Sequence, residues 1–526
     1  MTDLVAAVLA GCDRHPDAAA LTFGRTTLSY GELGRSIRAT AGSLVREGMV
    51  PGDRVLFSVR PGPDAVVLAL GIVLAGGTVV FADPGAGEAL FRSRAALAAP
   101  GWVAAESLLY LASSRPLRGL ARRRGLELAP YARLVPEARH LRTGRWLPGV
   151  PRNAIPLHRL RDGRATASAP RPAQADQDAL VIFTSGTTDA PKAVVHSRHS
   201  LGAGLADFAA GVGLREGQRL LTDQLMVGVP ALIAGAHWTM PPMGANPGAR
   251  PEQYLTLLPE AEVLFAVPAA LDAMLRALDA RPSLMPRNLQ TIILGGAPVL
   301  RPLLERIAAR FPDAEIRAVY GMTEILPVAI ADGRAKLRDP ASDGDPVGHL
   351  VPSVNARLVD GELVLSGPGL ARGYLADLPD HPLTELATGD LARLDGDDLT
   401  LLGRRKDMFI RGTQNVYPGL YEPIIAGLPG VSDAAMVGIP DEIGDDRIVV
   451  VVVPARDAPA LPDAEHPLAR AVAGALPGLI DAGVMPDAVL AVAELPRGGR
   501  SRKLDRAALT ELVRGALEPS RSETRP

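Results

Sequence analysis

The sequence predicts an α/β protein: a large N-terminal region of several subdomains with helix-covered sheets, followed by a small α+β C-terminal lobe. Three observations carry that prediction. Residues 1 to about 150 alternate helical and strand patterns, and the alternation resumes from 200 to 330. A block dense in strands and turns runs from 345 to 402. After it, roughly 405–526 reads as a separate lobe. Alternating helix-period and strand-period hydrophobicity is what a sheet covered by helices requires, because each element must bury one face against a neighbour.

Taken in order, Leu21-Thr22-Phe23 and Thr27-Leu28-Ser29 form the arms of a hairpin turning at Gly24-Arg25. Tyr30 to Glu47 has the pattern of an amphipathic helix with Ser29 as its N-cap. Asp53 to Val59 is a strand. Ala65 to Ala82 holds eighteen uncharged residues, long enough to suggest a membrane span. Gly71, the Gly76-Gly77 pair and β-branched Thr78-Val79-Val80 instead divide it into a buried helix and a buried strand. Residues 161–178 lack periodicity and read as a surface linker. Ala179 to Phe183 is a short buried strand, Glu262 to Val267 another, and Leu289 to Leu294 a third that runs into Gly295-Gly296-Ala297-Pro298. Ile448 to Val453 is the buried strand of the C-terminal lobe, and Glu518 to Pro526 are expected to be a disordered tail.

With 526 residues the chain has room for several domains at roughly one per 150. Its 56 basic residues against 58 acidic ones give no reason to expect nucleic acid as a partner. The single cysteine, Cys12, excludes an intramolecular disulfide and suits a reducing compartment. Asp3 within an Ala/Leu/Val pattern, with no basic segment before it, argues against a signal peptide. The expected location is therefore cytoplasmic. One region departs from the even charge: Arg115, Arg118, Arg122, Arg123, Arg124, Arg133, Arg139, Arg142 and Arg145 face only Glu127 and Glu137. The plain reading is a solvated basic face; the functional one is a docking surface for an anionic membrane or an acidic acyl carrier protein.

Four clusters have the residue types of a nucleotide site. The strand at 179–183 opens into Thr184-Ser185-Gly186-Thr187-Thr188-Asp189-Ala190-Pro191-Lys192. Small hydroxyls and exposed N–H groups donate to phosphate oxygens, and a lysine adds charge. In Val319-Tyr320-Gly321-Met322-Thr323-Glu324 a ring can stack on a base, a glycine permits close approach and a carboxylate can hold Mg²⁺ between phosphates. In Thr388-Gly389-Asp390 the carboxylate can accept from two ribose hydroxyls. Arg404, fourteen residues on, offers a fixed fork for ribose or phosphate. Finally, a Gly498-Gly499 loop leads to Lys503, which can place a point charge between two anions that must meet.

In order and spacing these clusters resemble the motifs of the adenylate-forming enzymes. The family's T-S-G-T-T-G-x-P-K loop fits Thr184 to Lys192 except at Asp189, where the family has glycine. Its Y-G-x-T-E motif fits Tyr320 to Glu324 at every fixed position, its T-G-D…G-R block fits Asp390 and Arg404, and its C-terminal lysine block fits Lys503, with Arg502 in place of a glycine. The resemblance implies ATP and Mg²⁺ as cofactors. It places Thr323 toward the α-phosphate, Glu324 on the metal, Gly296-Ala297-Pro298 on the adenine and Asp390 on the ribose. Lys503 and Arg404 become the catalytic residues and Lys406 an interdomain hinge between residues 1–404 and a mobile lobe of 405–526. Asn415, Tyr417, Pro418 and Glu422 resemble the acyl-CoA synthetase segment that serves thioester formation, so CoA or a carrier-protein phosphopantetheine is the implied acceptor. Thr413 and Leu420 depart from that pattern.

Where such enzymes bind their acid, this chain has the apolar run Leu225-Met226-Val227-Gly228 through Ile233, which favours an alkyl or alkenyl carboxylic acid. Three alternatives share the motifs. They are a sister ligase that stops at the adenylate or closes a β-lactone, an amino-acid-activating domain, and a non-catalytic nucleotide-binding relative.

Overall fold

The computed structural model describes the chain apart from residues 1–2, 83–87, 124–127, 162–176, 184–191, 243–249, 339–343, 412–413, 417, 441–445, 478, 481–483, 499–502 and 518–526. The expected linker and tail thus fall largely or wholly outside the described residues. Two large mixed sheets, of thirteen and eight strands, dominate, and a three-stranded sheet organises the C-terminal part. The α/β expectation holds.

Local chemistry explains the early elements. Ala19–Phe23 and Thr26–Ser29 form the hairpin. Ser29 caps the helix Tyr30–Arg46 in a reciprocal box with Glu32, which satisfies two end N–H groups at once. The apolar eighteen-residue stretch splits as expected. Helix Pro63–Ala75 stops at Gly76, whose φ of 101° suits glycine, and strand Thr78–Phe81 follows. Among the described residues no helix is long and apolar enough to cross a membrane.

The eight-stranded sheet sets Thr78–Phe81 parallel to Asp178–Phe183, which then pairs antiparallel with Ala193–Ser197. The hydroxyl-rich loop therefore joins two neighbouring strands, with Phe183 opposite Ala193. A two-residue strand from far along the chain, Gly373–Tyr374, adds to the outer side of Ala193–Ser197.

In the thirteen-stranded sheet Arg219–Leu221, Val263–Ala266, Thr291–Gly295 and Glu315–Met322 lie side by side and parallel. Their carboxyl ends share one edge, the edge on which open α/β sheets carry ligands. The strand Glu315–Met322 turns at Thr323-Glu324 and returns as Ile325–Asp332. A register shift between Tyr320 and Met322 lets Met322 pair with Ile325, so the ladder continues past the glycine. Further antiparallel strands follow, among them Asp398–Arg404 and Leu386–Asp395.

The helix Arg198–Gly211 lies against the returning strand. A Cβ at Gly204 would stand 2.4 Å from the Leu326 carbonyl oxygen, and one at Gly211 equally close to Ile330 Cδ1. Backbone cannot rotate away as a side chain can. Gly204→Ala gains about 1 kcal/mol of helix propensity against an overpacking cost of about 1–3 kcal/mol. The clash should win, and a lower urea midpoint with an unchanged slope is the expected result. An unchanged or higher midpoint would show that the helix has room to shift.

In the C-terminal part the hairpin of Phe409–Arg411 and Gln414–Val416 precedes helix Pro418–Ala426. Arg506, near the start of the last helix, reaches Glu422 at 2.8 Å and Asp407 at 3.1 Å. Of the arginine-rich segment, Arg118 pairs with Glu88, and Arg139 pairs with Glu47 while lying over the Trp102 ring.

Candidate active site

The two-residue turn Thr323-Glu324 is one of the places at which the two large sheets meet. The Thr323 carbonyl accepts from His196 Nε2 at 2.7 Å, and the Glu324 carbonyl accepts from the Ala371 N–H at 2.7 Å. The Tyr374 hydroxyl donates to Glu324 Oε1 at 3.0 Å. Lys192, last residue of the hydroxyl-rich loop, places its Nζ 5.1 Å from the centre of the same Tyr374 ring. The cation at the loop's exit and the carboxylate of the Tyr320–Glu324 motif therefore share one aromatic side chain. Thr184, Ser185, Gly186, Thr187 and Thr188 lie outside the described residues, as does Asp189.

A second group stands on the same sheet. Asp390 pairs across the ladder with Arg404, and Arg404 Nε lies 2.8 Å from Asp390 Oδ1. The Tyr320 hydroxyl donates to Asp390 Oδ2 at 2.6 Å. Asp390 is 4% exposed, whereas Tyr320 is half-buried. Burial and the adjacent carboxylate raise the Tyr320 phenol well above its ordinary value, so it stays a donor. Gly321 packs against Leu326, where a Cβ would come within 2.5 Å. Gly295 pairs with Val319 on the neighbouring strand, so Gly296-Ala297-Pro298 leave the sheet beside Tyr320. Gly296 has a φ of 80°, which allows that exit.

Other predicted residues lie elsewhere. Lys503 is exposed on a two-stranded hairpin, opposite Gly498, in a sheet separate from the two that carry these groups. Lys406 falls in the short 3₁₀ turn Arg405–Asp407. The apolar run is helix Leu225–Ile233. Val227 is buried in the core, and a Cβ at Gly228 would meet the buried Trp238 ring at 2.0 Å. Leu225 and Met226, in its first turn, remain half-buried.

Glu324 supplies a single hard-oxygen carboxylate, and among the described residues no group of three His, Cys, Asp or Glu side chains is assembled for a metal. That donor set fits Mg²⁺ arriving on substrate phosphates, which needs only one or two protein carboxylates.

Sequence reasoning missed His196 and Tyr374. Burial holds His196 below the usual histidine value, against the pull of the Thr323 carbonyl and Glu324. Facing a carbonyl, Nε2 must carry the proton, and Nδ1 then accepts from Ser200 Oγ at 3.2 Å. Both residues are recruited by contacts across 127 and 50 positions of chain. No local pattern signals them.

The AMP-binding enzyme model matches residues 9–375, and the AMP-binding enzyme C-terminal domain model matches residues 421–503. The chain is 28% identical over 480 residues to a feruloyl-CoA synthase of Amycolatopsis sp, covering 84% of this chain and 86% of that protein. It is 30% identical over 335 residues to a long-chain-fatty-acid–CoA ligase of Mycobacterium tuberculosis, covering 58% of this chain and 64% of that one. The fold matches ATP-bound MatB from Rhodopseudomonas palustris with a TM-score of 0.76 at 24% identity, over 98% of this chain and 100% of that one.

Proposed function

The chain belongs to the AMP-binding enzyme family, and from that premise we propose that it joins an apolar carboxylic acid to AMP and then passes the acyl group to a thiol. The observation that carries this reading is the convergence at the Thr323-Glu324 turn: Lys192 and Glu324 meet on Tyr374, and Tyr320, four residues before Glu324, donates to Asp390, which pairs with Arg404 on the adjacent strand. The residues assigned to phosphate and metal (Lys192, Glu324) and those assigned to base and ribose (Tyr320, Asp390) are thus linked through the single segment Tyr320–Glu324, which supports one nucleotide as their common ligand.

In the proposed reaction the triphosphate lies along Thr184–Lys192, the base against the Tyr320 ring and Gly296–Pro298, and the ribose on Asp390. Thr323 faces the α-phosphate, and Glu324 is the residue that would hold Mg²⁺, which neutralises phosphate charge when bound. A carboxylate oxygen attacks the α-phosphorus; the bond to the bridging oxygen breaks, and pyrophosphate leaves with that electron pair. Lys503 offsets the repulsion between the two anions, and Arg404 steadies the nucleotide. The lobe of 405–526 then turns about Lys406, and a thiolate of CoA or of a carrier-protein phosphopantetheine attacks the acyl carbon, releasing AMP. The half-buried pair Leu225 and Met226 supports an apolar acid chain. Two of the relatives described above are named as CoA ligases or synthases, which supports CoA as acceptor.

ATP–pyrophosphate exchange with a panel of aromatic, short and long-chain acids, with and without CoA, tests the proposal. Acid-dependent exchange and an acyl-CoA product by mass spectrometry are expected. A folded protein that exchanges with no acid of any class would sink it, and a lactone product would replace the second half of the reaction.

A further inference from the structure

Residues 371–375 form a strap between the exit of the hydroxyl-rich loop and the Glu324 turn. Arg372 donates its N–H to the Val195 carbonyl at 2.8 Å, and Leu375 donates to Ala193 at 2.8 Å, immediately after Lys192. The Ala371 N–H holds the Glu324 carbonyl from the other side. Arg372 also pairs with Asp178 at the foot of the strand that enters the loop. Tyr374 stands in this strap with its ring toward Lys192 and its hydroxyl on Glu324.

Resting on the nucleotide-binding reading above, we propose that Tyr374 is a positioning residue. Its hydroxyl fixes the Glu324 carboxylate, and its ring fixes the Lys192 ammonium, so that the two charges meet one metal-bearing triphosphate in a set geometry. A carboxylate on a two-residue turn has several rotamers, and a donor on one oxygen selects among them while the other oxygen keeps its lone pairs. A lysine has more freedom still, and the electron-rich face of a phenol favours the ammonium over its centre. Tyr374 keeps its proton: burial and the nearby Glu324 both push the phenol above its ordinary value. The two functions reside in different parts of one side chain and are separable by substitution.

Calorimetric binding of ATP to the full chain across a range of Mg²⁺ concentrations, and of pyrophosphate without metal, provides the readout. Tyr374→Phe keeps the ring and removes the hydroxyl. It should raise the Mg²⁺ concentration needed for half-maximal ATP binding about five-fold, the worth of one hydrogen bond, and leave metal-free pyrophosphate binding unchanged. Tyr374→Leu should show the same metal shift and also weaken pyrophosphate binding about three-fold or more. In a Glu324→Gln background the Phe substitution should have no further effect on the metal dependence. An unchanged metal dependence in Tyr374→Phe, or a shift that persists in the Glu324→Gln background, would overturn the inference while leaving the nucleotide reading intact. Failure of the wild-type chain to bind ATP at any Mg²⁺ concentration would overturn both.

Discussion

Lys503→Ala is expected to lower ATP–pyrophosphate exchange about 10²- to 10³-fold, the usual effect of deleting a charge aimed at a transition state, with ATP binding largely intact. The separation of effects follows from where the residue sits. Lys503 lies on its own hairpin in the C-terminal part, whereas Lys192, Glu324, Tyr320, Asp390 and Arg404 are all carried by the two large sheets. Nucleotide affinity should therefore reside in the sheets. What Lys503 adds is specific to the moment when the attacking carboxylate approaches an already anionic phosphorus. Exchange assays and calorimetry on the same preparation provide the comparison. A parallel fall in ATP affinity would recast the lysine as a binding residue; unaltered exchange would remove it from the chemistry.

Asp390→Ala should weaken ATP binding about ten- to a hundred-fold, the range for lost hydrogen bonds to a charged group. Asp390 is nearly fully buried and already accepts from Tyr320 and Arg404. Its removal leaves the half-buried phenol without an acceptor, at a stability cost of about 1–3 kcal/mol. Arg404 adds little to that cost, because its side chain is 47% exposed and water screens the pair. Tyr320→Phe separates the two roles: it keeps the ring and the carboxylate and loses only the bond between them. Its effect on ATP affinity should be well below that of Asp390→Ala. Equal losses would mean that the Tyr320–Asp390 bond, rather than a carboxylate contact with the nucleotide, sets the affinity.

Much of this was legible in the sequence because the governing forces are local. The Ser29 cap, the helix stop at the Gly76-Gly77 pair and the strand before Thr184 each depend on a few neighbouring residues. Asp390 and Arg404 were marked by their resemblance to the family's block, and the structure adds the reason for their interval: two antiparallel strands joined by a tight turn bring them opposite each other. Tyr374 and His196 were not legible, because their roles depend on how one sheet docks on the other. The apolar run at 225–233 illustrates a different limit. A ligand-lining helix and a core helix have the same composition, and the burial of Val227, Ala231 and Leu232 together with Gly228 against Trp238 shows how much of this one is packing.

The strap at 371–375 also bears on how the site comes into being. Its pairings with Asp178 and Val195 close loops of nearly two hundred residues, the kind of contact whose entropic cost delays it during folding. The loop strands and the Glu324 turn must each be in place before Tyr374 can bridge them. A chain stopped short of residue 371 would keep every residue of the hydroxyl-rich loop and still lack the piece that draws its lysine and the distant carboxylate together. On the proposed reading, holding a nucleotide depends on the closed chain and not on the hydroxyl-rich loop alone.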